Sequence, residues 1–183
     1  LGCLYLFFSL DHYTLSLFAP ELIREFGWSK AEFALLGSLQ IVSLVTAPLA
    51  GRFTDRFGVR VAVSVGFLAI SAGFLWFSRM QGSLTEFFVV WILQHVLGVM
   101  TTSLVLTRAI IERFDRARGT SLSLLMMGPP MSGAIAAPLL GALIVAEGWR
   151  TAFFALSVVS ALGGIACVAL MGRKRHDAPV KAP

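Results

Sequence analysis

Charged residues are scarce in this chain: Asp, Glu, Lys and Arg make up 14% of its 183 residues, against 57% apolar, and mean hydropathy is +0.81. A soluble domain carries roughly 25% charged residues, so a water-soluble globule is excluded. The connections between apolar runs are too short to fold on their own, so the burial is in lipid. A net charge of +5 in that setting is no evidence of nucleic-acid binding. Cysteine is nearly absent too. Cys3 and Cys167 lie in apolar runs without metal-ligand neighbours, so they say nothing of redox compartment and read as packing residues. Neither a G-x-S-x-G elbow nor an H-E-x-x-H pair occurs, and Asp11 with His95 alone makes no catalytic case. No enzymatic activity, cofactor or metal is expected. The sequence starts inside an apolar run, with no initiator Met or basic n-region, so a cleaved signal peptide is not expected and a lost upstream segment is.

What the chain does contain is apolar runs near the ~20 residues a helix needs to cross lipid. They fall at roughly 1–19, 31–50, 61–78, 87–107, 120–145 and 151–171. The expected fold is an all-α membrane protein, a six-transmembrane-helix bundle over 1–171 with a basic cytoplasmic linker at 172–183. Short connections make sequence neighbours antiparallel. Taking alternate loops together collects Arg52, Arg56, Arg60, Arg108, Arg113, Arg116, Arg118, Arg173, Lys174, Arg175 and Lys181, eleven of the fifteen basic residues. The positive-inside rule puts that side, and both ends of the six-helix unit, in the cytoplasm of a multi-pass inner-membrane protein. Trp28 and Trp149 fall at the opposite interface. Ser29–Glu32 and Ser83–Glu86 read as capping boxes opening spans two and four. Small residues at Ala62, Gly66, Ala69 and Gly73, and at Gly133, Ala137 and Gly141, form stripes suited to close helix packing.

Ionisable groups within a span cost on the order of 2.5–3.5 kcal/mol on insertion scales, so each needs a reason. Asp11 and His12 stand nine residues before Pro20, roughly 13 Å from the end of span one. Gln94 and His95 lie at a similar depth from Glu86, Gln40 comparably deep in span two, and Gly128-Pro129-Pro130 about nine residues into span five. Secondary transporters place substrate at such a plane, often beside a broken helix. Asp11, with a carboxyl whose pKa burial would raise, is the candidate for proton coupling together with His12, whose role is not separable from it. Gln40, Gln94 and His95 are candidate cavity residues, with helix bridging as the other reading of each. Gly128, Pro129 and Pro130 read equally as a hinge or as a static kink. Arg108 reads first as a snorkelling anchor at the end of span four.

The stretch Gly51-Arg52-Phe53-Thr54-Asp55-Arg56-Phe57-Gly58-Val59-Arg60 sets four charges between two spans. Its pattern G-x-x-x-D-R-x-G-x-R closely resembles the loop between the second and third helices of major facilitator superfamily transporters. Phe114-Asp115-Arg116-Ala117-Arg118-Gly119 resembles the second basic loop of that family, and Gly148-Trp149-Arg150 with Phe153 is similar to its lead into span six. Pro20 followed by Glu25-Phe26-Gly27-Trp28-Ser29 resembles the first outer loop of organic-anion and monocarboxylate branches. The likeness covers nearly the whole chain, as one amino-terminal six-helix half of a family normally built from two.

That resemblance implies roles. Asp55, Arg56 and Arg60 would form a charge network with the other half that gates the transport cycle, while Gly51 and Gly58 would allow close helix approach and the tight turn. Two departures narrow the branch. Proton-drug antiporters of the family carry Arg four residues before the glycine corresponding to Gly98, where this chain has Gln94; their fifth-span glycine and proline motif is only partly present. Many anion-cation symporters have Asp-Arg in span one, where this chain has Asp11-His12. The reading is a proton-coupled secondary transporter of a small organic solute, an organic acid or anion, whose partners are substrate, protons, lipid bilayer and a missing carboxy-terminal half. The alternative is a non-transporting membrane sensor or assembly subunit that retains the fold.

Overall fold

A backbone in lipid has no water to bond, so its polar groups must pair within the chain, and helices do this. The computed structural model describes residues 10–38, 42–101 and 118–170, and no strand occurs among the described residues. The described helices are α1 (Leu10–Phe26), α2 (Lys30–Ser38), α3 (Val42–Phe57), α4 (Val59–Arg79), α5 (Leu84–Gly98), α6 (Arg118–Met126), α7 (Gly128–Glu147) and α8 (Trp149–Leu170). A 3-10 turn, Val99–Thr101, prolongs α5. Among the described residues, the stretches Val59–Arg79, Leu84–Thr101 and Trp149–Ala169 are long and apolar enough to cross a bilayer. Gln40, Arg108, residues 114–117 of the second basic loop and the linker 172–183 lie outside the described residues.

Glycine sets where several helices end. α1 runs through Pro20 and past the expected end of span one, carrying Glu21, Arg24 and Glu25 as a polar last turn in which Arg24 pairs with Glu21. It stops at Gly27, whose φ of +68° favours glycine and whose N–H donates to the Ile23 carbonyl at 3.0 Å. The Ser29–Glu32 capping box forms in both directions: the Glu32 amide donates to Ser29 Oγ at 3.1 Å, and Glu32 Oε2 accepts from the Ser29 amide at 2.8 Å. Ser83–Glu86 forms only half a box. The Glu86 amide donates to Ser83 Oγ at 3.3 Å, but its carboxylate accepts from the Trp76 indole at 2.7 Å instead of turning back.

The expected ten-residue loop at 51–60 contracts to one residue. α3 continues to Phe57, α4 starts at Val59, and Gly58 alone joins them at φ +85°. The Gly58 N–H donates to Thr54 O at 2.8 Å and its carbonyl accepts from the Ala62 amide at 3.2 Å, so both helices are closed through the turn. Gly148 repeats this between α7 and α8, with φ +86°, donation to Ile144 O at 3.0 Å and acceptance from Ala152 at 3.3 Å. Gly58-Val59-Arg60 and Gly148-Trp149-Arg150 are thus one connection used twice, an internal correspondence that similarity along the sequence does not reveal.

α4 is the hub, packed against α3, α5 and above all α8. Its small residues act as notches. Thr101 fills the space at Gly66, the Gln94 side chain lies on Gly73, and Phe67 fits against Gly164 of α8. A Cβ at any of the three glycines would meet a neighbour at 2.5–2.7 Å. At the end of the α7 stripe a Cβ on Gly141 would meet nothing within 4 Å among the described residues. α4 and α8 are also joined by a reciprocal serine clasp: Ser71 Oγ donates to Ser157 O at 2.9 Å and Ser157 Oγ donates to Ser71 O at 2.8 Å. Interhelical bonds of this kind average ~0.6 kcal/mol each in lipid.

The end of the bundle that carries Glu25 is sealed by aromatic rings. Phe18 stacks on Phe153 at 3.9 Å, Phe77 meets Phe87 in a tilted contact at 4.6 Å, and Trp28 reaches Phe87 at 5.3 Å. Phe26 packs over Gly82 and against Trp149. Rings from α1, α2, α4, α5 and α8 meet in this one cluster, which fixes the relative positions of the helices that hold the candidate site.

Candidate functional site

Depth along the helices comes from the backbone alone. Asp11 lies ten residues before Glu21, the first charged residue of the α1 tail, which is ~15 Å along a helix. His95 is nine residues past Glu86, ~14 Å. Gly128 is ten residues past Arg118, again ~15 Å, counted from the opposite end. Each of the three positions thus stands about half of a ~30 Å hydrocarbon core away from a charged residue nearer the end of its span. The side chains of Asp11, His12 and Pro129 lie outside the described residues.

At that depth Gln94 and His95, adjacent on α5, part company, as the ~100° between helix neighbours requires. Gln94 is buried in the α4–α5 seam, against Gly73, with Nε2 donating to Ile70 O at 3.3 Å. Its contacts are those of a bridge between helices. His95 is half-buried, with Nδ1 3.0 Å from Trp91 O and its ring 4.6 Å from the Trp91 ring. The His95 ring is thus held by Trp91 at both its edge and its face.

Gly128-Pro129-Pro130 opens α7 directly after Met127, which keeps right-handed helical angles. Met127 N–H still donates to Ser123 O at 3.1 Å, and Met131 N–H reaches back to Met127 O at 3.3 Å. Between them, Pro129 and Pro130 have no N–H to offer the carbonyls four residues earlier, those of Leu125 and Met126. The span is therefore interrupted in its bonding while its path continues, with Met126, Met127 and Met131 exposed around the break.

The charged segment sits at the other end from the aromatic cluster. Gly51, Asp55 and Arg56 lie in the last two turns of α3, Gly58 is the turn, and Arg60 opens α4. Asp55, Arg56 and Arg60 are exposed, the Arg56 guanidinium is 5.5 Å from the Phe57 ring centroid, and Thr54 points inward, buried, donating to Ala50 O at 2.7 Å. Nothing lies within 4 Å of a Cβ placed on Gly51, so within the described residues this glycine leaves open space at the helix surface.

One constellation was missed from sequence. Glu25 accepts from the Trp149 indole and from Arg150 Nη1 at 2.9 Å, while Arg150 covers the Trp149 ring at 4.3 Å and reaches Met80 O at 3.5 Å. The Trp149 hydrogen bond holds the Glu25 carboxyl below its usual range; desolvation opposes this, and the hydrogen bond and charge of Arg150 and the charge of Arg24 reinforce it. The clasp ties the end of α1 to the start of α8. In sequence Glu25 belongs to one loop and Trp149 and Arg150 to another, and contacts more than 120 positions apart leave no local pattern. No cluster of His, Cys, Asp or Glu that could hold a metal occurs among the described residues.

The chain is 30% identical over 142 residues to "Riboflavin transporter RibJ" of Trypanosoma brucei brucei (strain 927/4 GUTat10.1), covering 74% of this chain and 25% of that protein. It thus spans about a quarter of the length of that relative. The Major Facilitator Superfamily profile matches residues 1–183, the full length given. An all-α, multi-pass membrane chain with this match belongs to the Major Facilitator Superfamily.

Proposed function

We propose that this chain is the amino-terminal six-helix half of a secondary transporter that moves a small organic solute by alternating access. The family match over residues 1–183 carries the reading. Asp11, with His12, takes up and releases the coupling proton near the mid-plane. His95 lines the substrate cavity, and Gln40 joins it from the second span. Gln94 acts one layer away, setting the distance between α4 and α5. Gly128, Pro129 and Pro130 form the hinge, because an interruption in backbone bonding lets α6 and α7 change angle without losing their packing partners. Asp55, Arg56 and Arg60 grip the second half at the face proposed to be cytoplasmic, with Gly51 and Gly58 shaping that end. No catalytic step is part of the reading.

The cargo is proposed to be an organic acid, for which a protonated His12 offers a counter-charge in place of arginine. The likeness to a riboflavin transporter supports a second cargo class, a neutral heteroaromatic vitamin. Uptake of labelled organic acids and of riboflavin into proteoliposomes holding the full-length protein separates the two. Saturable accumulation of one class supports its assignment. No uptake of any solute across a broad panel, with folding intact, sinks the transport reading in favour of a sensor or assembly subunit.

A further inference from the structure

Between α4 and α8, on a face the aromatic cluster does not cover, runs an apolar groove of about 670 Å³. Small residues make its floor, Ser71 on α4 facing Ala161 and Gly164 on α8, and the exposed Leu68, Ala72 and Ile165 stand along its walls and rim. From Arg60 to Leu75 it follows fifteen residues of α4, ~22 Å, somewhat longer than the ~15 Å acyl layer of one leaflet. Its polar lining is almost entirely committed. Ser64 Oγ donates to Arg60 O at 2.8 Å and Ser71 Oγ to Ser157 O at 2.9 Å. That leaves the Arg60 guanidinium, exposed at the mouth and without an ion pair among the described residues, as the one lining group able to bind a ligand by charge.

We propose that this groove binds one anionic glycerophospholipid, with an acyl chain lying between α4 and α8 and its phosphate on Arg60. A chain in the groove buries apolar surface that rigid helix walls cannot bury against each other, because the serine clasp already fixes their separation. The guanidinium supplies what bulk lipid contact does not, a preference for negative charge in the headgroup. The groove lies off the proposed cargo residues and shares only Arg60 with the proposed gating end, and its test does not use transport.

The full-length protein, purified in detergent and offered equal phosphatidylglycerol and phosphatidylcholine, would be read by native mass spectrometry. Retained phosphatidylglycerol is expected to exceed phosphatidylcholine about fivefold. Arg60→Gln should bring the ratio close to one and Arg60→Lys should keep most of it. Ala72→Phe and Ala169→Phe, at exposed positions on opposite walls, should each lower retention of both lipids while thermal unfolding stays near the parent value. Equal retention of the two lipids by the parent protein overturns the proposal. So does selectivity that survives Arg60→Gln, or retention that neither wall substitution lowers.

Discussion

Alanine at Gly66 should destabilise the bundle, while the same change at Gly141 should not. On α4, a methyl at Gly66 would lie 2.5 Å from Thr101 Cγ2 and 3.3 Å from both the Leu97 carbonyl oxygen and the Thr101 amide nitrogen. Helix propensity favours Ala over Gly by ~1 kcal/mol. Overpacking of a tight contact costs ~1–3 kcal/mol, and here two of the colliding atoms are backbone and cannot swing away. The collision wins, leaving a net loss of about 1 kcal/mol. At Gly141 nothing among the described residues lies within 4 Å, so propensity acts alone and Gly141→Ala should gain up to ~1 kcal/mol. Reversible unfolding of the full-length protein in mixed micelles reads both. Adding Thr101→Ser to Gly66→Ala removes the nearest methyl and should return part of the loss, the two 3.3 Å contacts accounting for the rest. If Gly66→Ala matches the parent protein, or Thr101→Ser returns nothing, the α4–α5 seam is not packed as described.

Two further outcomes follow from contacts between distant helices. Ser71→Ala and Ser157→Ala should each cost ~0.6 kcal/mol and the double variant about twice that, measured by the same unfolding; an unchanged double variant would show that the clasp does not hold α4 to α8. At the Glu25 end, a carboxyl held below its usual pKa contributes stability above the ordinary value near ~4.3 and loses it as pH falls through the depressed one. Unfolding midpoints should therefore be flat in this respect from neutral pH to about 5 and fall below about 4, with Glu25→Gln removing that part of the fall. The amplitude should be small, ~0.2–1 kcal/mol, because Glu25 and Arg150 side chains are 39% and 50% exposed. A pH profile identical in parent and Glu25→Gln would count against the clasp.

Much of the fold was legible because its signals are local. Apolar run length marked the stretches 61–78, 87–107 and 151–171, where Val59–Arg79, Leu84–Thr101 and Trp149–Ala169 are long and apolar enough to cross a bilayer, and Ser29 with Glu32 marked the start of α2. The failures share a cause. Glu86 looked like the second half of a capping box, but Trp76, ten positions earlier on a neighbouring helix, takes its carboxylate. Four charges at 51–60 looked like a loop, yet arginine and aspartate at a helix end can reach water from helical backbone, and one glycine at φ +85° suffices for the turn. Pro20 looked like the end of span one, but a membrane helix tolerates proline and α1 continues to Phe26. For the candidate site, sequence supplied depth and residue type, while facing needed coordinates: nothing in Gln94-His95 says which residue turns to Gly73 and which lies on Trp91.

The central proposal is that a proton-coupled carrier uses Asp11 of α1 near the mid-plane of the bilayer. Solute uptake into proteoliposomes of the full-length protein, driven by an imposed pH gradient, tests it most directly when parent and Asp11→Asn are compared. Loss of gradient-driven accumulation in Asp11→Asn, with exchange of solute across the membrane retained, is the predicted result. Gradient-driven accumulation equal to the parent's would contradict it.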